Sequence, residues 1–181
     1  MRYLYVGTMA CPKEAEAVAA MTEALTNEFG VPTRTLDLPG ADFAHDPSRG
    51  QYGSIAVLEM LARLCPEDAS KLLAVTTRDL FIPVLTFVFG QAQLGGRVGV
   101  VSLARLKQEF YGLPPNRDVF LDRAAKEALH ETGHLFGLVH CGDHACAMSL
   151  STGVRQIDLK QAKFCSPCRG RIAPARKAFT V

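Results

Sequence analysis

The sequence predicts an α/β fold of the mixed (α+β) kind: a mostly parallel twisted sheet with one antiparallel edge strand, covered by helices. Three observations predict it. Apolar runs of strand length alternate with segments of helical period through the first half of the 181 residues. Two strand-like runs, 85–93 and 97–103, are separated only by Leu94, Gly95 and Gly96, a spacing for a tight hairpin with glycine supplying positive φ. A long helical segment then leads into a Cys-rich, mildly basic C-terminal stretch expected to be irregular.

In chain order, residues 3–6 read as a first buried strand. Residues 13–29 read as a helix, with Ala15, Val18, Met21 and Leu25 at helical spacing, and 33–38 as a second strand. A polar stretch rich in Gly and Pro follows from 40 to 53. Residues 54–65 form a helix with Ile55, Leu58, Leu61 and Leu64 on one face, and Pro66 ends it. The run Leu72, Leu73, Ala74, Val75 marks 71–77 as a buried parallel strand. After the hairpin and a turn-rich 112–116, residues 119–136 form the long helix, stopped by Gly137.

Length and an apolar fraction of 48% suffice for one substantial core. Residues 1–181 are expected to form a single domain, with an N-terminal subdomain at 1–137 and a four-cysteine subdomain at 138–181. Twenty basic against 18 acidic side chains leave +2, far from the basic excess of a dedicated nucleic-acid binder. No nucleic-acid partner is expected. The opening apolar run is too short for a secretory signal, and residues 80–89 fall short of the roughly 18–20 apolar residues that cross a bilayer, so no membrane partner is expected either. Six cysteines without a signal point to a reducing, cytoplasmic setting in which thiols bind metal rather than pair.

The chemistry concentrates after residue 129. His130 and His134 lie four apart on the long helix, so both imidazoles project from one face toward a single ion. Glu131 sits one step round, placed to reach a metal-bound water as a general base. Gly137 lets the chain reverse and bring His140 to a third ligand position, leaving the fourth for water. Three neutral imidazoles leave zinc its full charge to polarise a carbonyl, and peptide-bond hydrolysis is the natural reaction. By composition, five such fixed positions arise by chance on the order of once in 10⁵ chains of this length, so satisfied polar histidines on an ordinary amphipathic helix are the lesser reading.

Cys141, Cys146, Cys165 and Cys168 form a Cx4C and a CxxC pair, four thiolates suited to a closed structural zinc site. Two zinc ions per chain are therefore expected, one catalytic and one structural. The second ion would compensate for the low apolar content of 141–181, and Cys141, adjoining His140, would couple the two sites. Two disulfides are the rival arrangement. A nucleic-acid-binding knuckle using Lys160, Lys163, Arg169, Arg171, Arg176 and Lys177 is a further one, although a solvated basic face is commoner.

The pattern HExxHxxGxxH belongs to the metzincins. The segment HETGHLFGLVHC, with Cys146, Met148, Cys165 and Cys168 after it, resembles the archaemetzincins specifically, as do RGQYGS near residue 50 and FVFGQAQLGGRVGVVSLARL from Phe87. The interval from Met148 to Cys165 is one residue shorter than the usual pattern, which a loop absorbs. The resemblance implies a metzincin-like fold with a long active-site helix, His130, His134 and His140 as ligands of the catalytic zinc, Glu131 as base, and Met148 as the residue of a turn beneath the metal. It also implies an edge strand near 87–90 along which an extended substrate pairs. The implied function is a monomeric zinc metallopeptidase acting on peptides or unfolded segments; the rival is a non-proteolytic binding module on the same fold. Cys11 and Cys65 read as buried small hydrophobes and His144 as a surface loop residue. Arg49, Gln51 and Tyr52 are expected to line the cleft or cap a helix. Tyr111 is a candidate donor to a developing oxyanion.

Overall fold

The computed structural model describes residues 2–10 and 14–177. The expected alternation is realised as β1 (Tyr3–Met9), α1 (Ala15–Phe29), β2 (Thr33–Leu38), β3 (His45–Asp46), β4 (Gln51–Gly53), α2 (Ser54–Leu64), β5 (Ala69–Thr76), β6 (Leu80–Phe81), β7 (Gly90–Ala92), β8 (Val98–Ser102), α3 (Arg117–Leu135), α4 (Val154–Leu159) and α5 (Ser166–Lys177). The main sheet has the order β2-β1-β5-β8-β7. All neighbours are parallel except β7, which pairs antiparallel with β8 at the edge.

Because side chains alternate across a sheet, each central strand feeds two cores. Leu4, Val6, Leu73, Val75 and Val101 point to the face covered by α1 and α3, where they meet Met21, Leu25, Phe29, Ala128 and Leu129. Tyr5, Met9, Leu72, Ala74 and Val100 point to the opposite face and pack on Val57, Leu58 and Leu61 of α2. The C-terminal segment joins the first core through Met148, Ile157, Phe164 and Ile172, so it carries more buried apolar surface than its composition suggests. Within it, α4 and α5 interrupt the expected irregular chain.

Three local differences from the expected elements have simple causes. The run 85–93 contributes only Gly90–Ala92 to the sheet, because Leu85, Phe87 and Phe89 line a cavity instead of a neighbouring strand. An apolar run looks the same in either role. A second sheet, β3-β4-β6, organises part of the polar stretch 40–53; strands of two or three residues have no detectable period. The hairpin between β7 and β8 follows expectation, with Gly95 at φ +68° and Gly95 N–H donating to His134 O at 2.8 Å, which ties the edge strand to α3. No helix among the described residues is long and apolar enough to cross a membrane.

Candidate active site and metal centres

Both ends of α3 are set by local chemistry. Asn116 accepts from Val119 N–H at 3.1 Å as N-cap. At the other end Gly137 takes φ +87°, and Leu138 N–H reaches back to Gly133 O at 3.0 Å, the bonding of a Schellman-type stop. The chain turns there and returns His140 toward His130 and His134. The ligating nitrogens of the three histidines lie within 4.8 Å of one another, and the His130 and His134 Nε2 atoms are 3.1 Å apart. Tetrahedral zinc with N–Zn distances of about 2.0–2.1 Å places two imidazole nitrogens roughly 3.3 Å apart, so the spacing fits that ion.

The opposite ring nitrogens are held by backbone. His130 Nδ1 donates to Ala147 O at 2.8 Å and His134 Nδ1 to Leu138 O at 2.7 Å. Each bond places the proton on Nδ1 and leaves the Nε2 lone pair for a metal. Burial lowers all three histidines below the ordinary 6.5, His130 furthest, with Lys160 and His134 adding to the effect. They are therefore neutral at pH 7, which is the ligand form. Beneath them, a Cβ on Gly133 would run into Met148 Sδ and lie 3.3 Å from Phe164; fully buried Met148 thus packs directly under the ligand-bearing turn of α3.

The three histidines and Glu131 line a cavity of about 560 Å³ whose other wall is the segment carrying Leu85, Phe87 and Phe89 with β7. Burial and the neighbouring Glu127 hold the Glu131 carboxyl well above the usual carboxylate range. Gly90 faces it: an added Cβ would sit 2.6 Å from Glu131 Cγ and 2.7 Å from Val100 O. Only glycine lets β7 approach the carboxylate, a requirement no spacing in the sequence reveals. Lys160 and Glu127 also line the cavity; the sequence marks Lys160 only as part of a basic run and Glu127 not at all.

The four cysteines converge as well, their sulfurs within 4.8 Å of one another. Cys141 and Cys165 Sγ are 3.7 Å apart, against about 2.0 Å for a disulfide and roughly 3.8 Å for two thiolates on tetrahedral zinc with S–Zn of about 2.3 Å. The geometry fits a closed metal site and not a pair of disulfides. Burial raises the Cys146 thiol; against the same upward pull, hydrogen bonds from Cys168 and the neighbouring thiols lower Cys165. One short turn joins the two centres. Cys146 supplies a sulfur, Ala147 the carbonyl that orients His130, and Met148 O accepts Cys141 N–H at 2.9 Å.

Arg49 and Gln51 do not line the cavity but brace its wall. Arg49 donates to Leu85 O and Thr86 O at 2.9 and 3.2 Å, and Gln51 to Thr86 O at 3.0 Å and to Asp79 at 2.9 Å. Tyr52 packs against His45. The Tyr111 hydroxyl donates to Arg105 O at 2.9 Å and lies outside the cavity lining, so it is not an oxyanion donor here. His144 is exposed, Cys65 is half-buried, and Cys11 lies outside the described residues. Of the basic run, Lys160 is buried in the cleft and Arg169 forms a bidentate pair with Glu28 at 2.8 and 2.9 Å. Lys163 and Arg171 are exposed; the side chains of Arg176 and Lys177 lie outside the described ones.

Comparison with known proteins agrees with this geometry. Residues 38–173 match the model of peptidase family M54. An archaemetzincin from Methanocaldococcus jannaschii is 45% identical over 133 residues, covering 74% of this chain and 71% of that protein. One from Methanopyrus kandleri is 41% identical over 141 residues, 78% of this chain and 75% of that one. The crystal structure of the Methanopyrus kandleri archaemetzincin superposes with a TM-score of 0.86 at 34% identity, over 97% of this chain and 96% of that one. A structure described as a zinc-dependent peptidase from Methanocorpusculum labreanum gives 0.82 at 29% identity, over 93% and 99%. With the HExxHxxGxxHC segment folded as a three-histidine cluster beside four cysteines, the chain belongs to the archaemetzincins, peptidase family M54, and is a zinc metallopeptidase of that family.

Proposed function

We propose that the cleft hydrolyses peptide bonds, with His130, His134 and His140 holding a catalytic zinc and Glu131 acting as general base. The observation that carries this reading is the convergence of three neutral imidazoles, two of them oriented by backbone carbonyls, on a cavity that Glu131 also lines. A zinc ion held by these histidines would supply Lewis acidity to the scissile carbonyl and to the attacking water. Glu131 takes the proton of the attacking water and delivers it to the leaving amine. Along the edge, Gln93 N–H bonds Val98 O and Ser102 N–H bonds Phe89 O. The antiparallel alternation then directs the amides and carbonyls of Gly90 and Ala92 away from β8, toward the cleft, where an extended peptide or unfolded segment pairs with them.

A second zinc, held by Cys141, Cys146, Cys165 and Cys168, serves structure, and residues 1–181 act as one catalytic domain in which 138–181 is the zinc-stapled part. Two zinc ions per chain are expected in metal analysis, falling to one in Cys165→Ser/Cys168→Ser; a single ion in the intact protein contradicts the assignment. The catalytic reading is tested by peptide-library digestion with wild type, Glu131→Ala and chelated protein in parallel. Glu131→Ala should retain both metals and lose about 10²- to 10⁴-fold in rate. Undiminished cleavage by that variant would sink the mechanism, while zinc-dependent peptide binding without any cleavage by the wild type would favour a binding module.

A further inference from the structure

The cavity holds a charged pair that hydrolysis does not use. Glu127 lies one turn before Glu131 on α3, and Lys160 follows α4; their side chains are 3% and 1% exposed, and both line the cavity. An ammonium carries three N–H donors. Among the described residues, the nearest acceptor of Lys160 Nζ is Glu127 Oε1 at 3.4 Å, long against the roughly 2.7–2.9 Å of a charge-assisted bond. His130 Nδ1 lies 3.5 Å away, but its proton is directed at Ala147 O, so it offers Lys160 no lone pair. Ser151 lines the same cavity, and its Oγ is buried without a partner. Buried donors left unused are costly, and the cavity that Lys160 and Ser151 line is also lined by Leu85, Phe87, Phe89, Leu94, Val139 and Leu150.

We infer that the part of the cleft lined by Glu127, Lys160 and Ser151 is a specificity subsite for a glutamine side chain of the substrate; the inference rests on the peptidase reading of the same cleft. Apolar walls suit a two-methylene stem. A carboxamide tip accepts from Lys160 and Ser151 through its oxygen and donates to Glu127 through its nitrogen. A leucine there leaves the spare donors of Lys160 and Ser151 without an acceptor, a glutamate meets the Glu127 carboxylate, and a lysine meets the Lys160 ammonium. Asparagine is one methylene shorter and reaches the pair less well.

The test is a charge-swap in side-chain preference. Hexapeptide sets carrying a single Gln, Glu, Leu or Lys in an Ala/Gly background are scored for cleavage by the zinc-loaded enzyme, and for binding to zinc-loaded Glu131→Ala by fluorescence anisotropy. The wild-type cleft should favour Gln over Leu at one position next to the scissile bond by at least tenfold, the scale of one or two buried hydrogen bonds. Glu127→Gln should move the preference to Glu, Lys160→Met should move it to Lys, and Lys160→Met/Glu127→Met should move it to Leu. Loss of stability alone produces no such ordered exchange. Preferences that are absent, or unmoved by these variants, overturn the subsite. A Gln preference in binding that shifts as described, with no cleavage by the wild type, keeps the subsite and overturns the peptidase reading instead. Cleavage without the preference does the reverse.

Discussion

At the residue scale, the site depends on atoms that carry no chemistry of their own. Gly90 is one. Adding a methyl there sets it against Glu131 Cγ at 2.6 Å and the Val100 carbonyl at 2.7 Å, and the sheet backbone cannot yield. Gly90→Ala is therefore expected to cost about 1–3 kcal/mol of stability as overpacking. It should also lower kcat at least tenfold by displacing Glu131, while metal analysis still finds both zinc ions. Wild-type kinetics in this variant would show that β7 has room to spare. Ala147 is the other, since its carbonyl, not its side chain, fixes the His130 ring through the 2.8 Å bond from Nδ1. Carbonyl partners of this kind tune ligand basicity and geometry as strongly as many side chains do.

At the scale of elements, α3 and the turn 146–148 act as one unit. The helix supplies two imidazoles and the proposed base, Glu131; the turn supplies Cys146, the Ala147 carbonyl and the Met148 side chain beneath Gly133. Arg123 on α3 reinforces this by a bidentate pair with Asp158 on α4 at 2.7 and 2.8 Å. Chain continuity from His140 to Cys141 already implies coupling between the two proposed zinc sites, and the turn adds a second, independent link. Cys165→Ser/Cys168→Ser should consequently weaken zinc at the histidines by about 10- to 100-fold, the usual cost of disturbing groups that orient a ligand. Competition with a metallochromic chelator measures this, and unchanged affinity would mean the turn keeps its form without its own zinc.

For the whole molecule, burial decides the pH range of the catalytic centre. His130, His134 and His140 are all lowered from 6.5 by burial. Lowered values mean that the imidazoles stay neutral, the metal-binding form, through pH 7, and take up protons only below 6.5. Metal at the histidines should thus be retained from pH 8 down to 6.5, as followed by the visible absorption of the cobalt-loaded protein, in which imidazole and thiolate sites differ. A loss already under way between pH 8 and 7 would contradict the burial argument. The sequence by itself determined the mostly parallel sheet with its antiparallel edge, the long helix, the glycine that stops it, and the histidine and cysteine groupings. All of these follow from periodicity, turn chemistry and spacing within one segment or between neighbouring ones. Only the tertiary structure decided that residues 85–89 wall a cavity rather than extend a strand, that Arg49 and Gln51 brace that wall, that Tyr111 turns away, and that Lys160 meets Glu127 in the cleft. The bracing bonds of Arg49 and Gln51 and the Lys160–Glu127 pair join residues 36, 35 and 33 positions apart through the packing of sheet, helix and loop, and such contacts leave no period in the chain from which to read them.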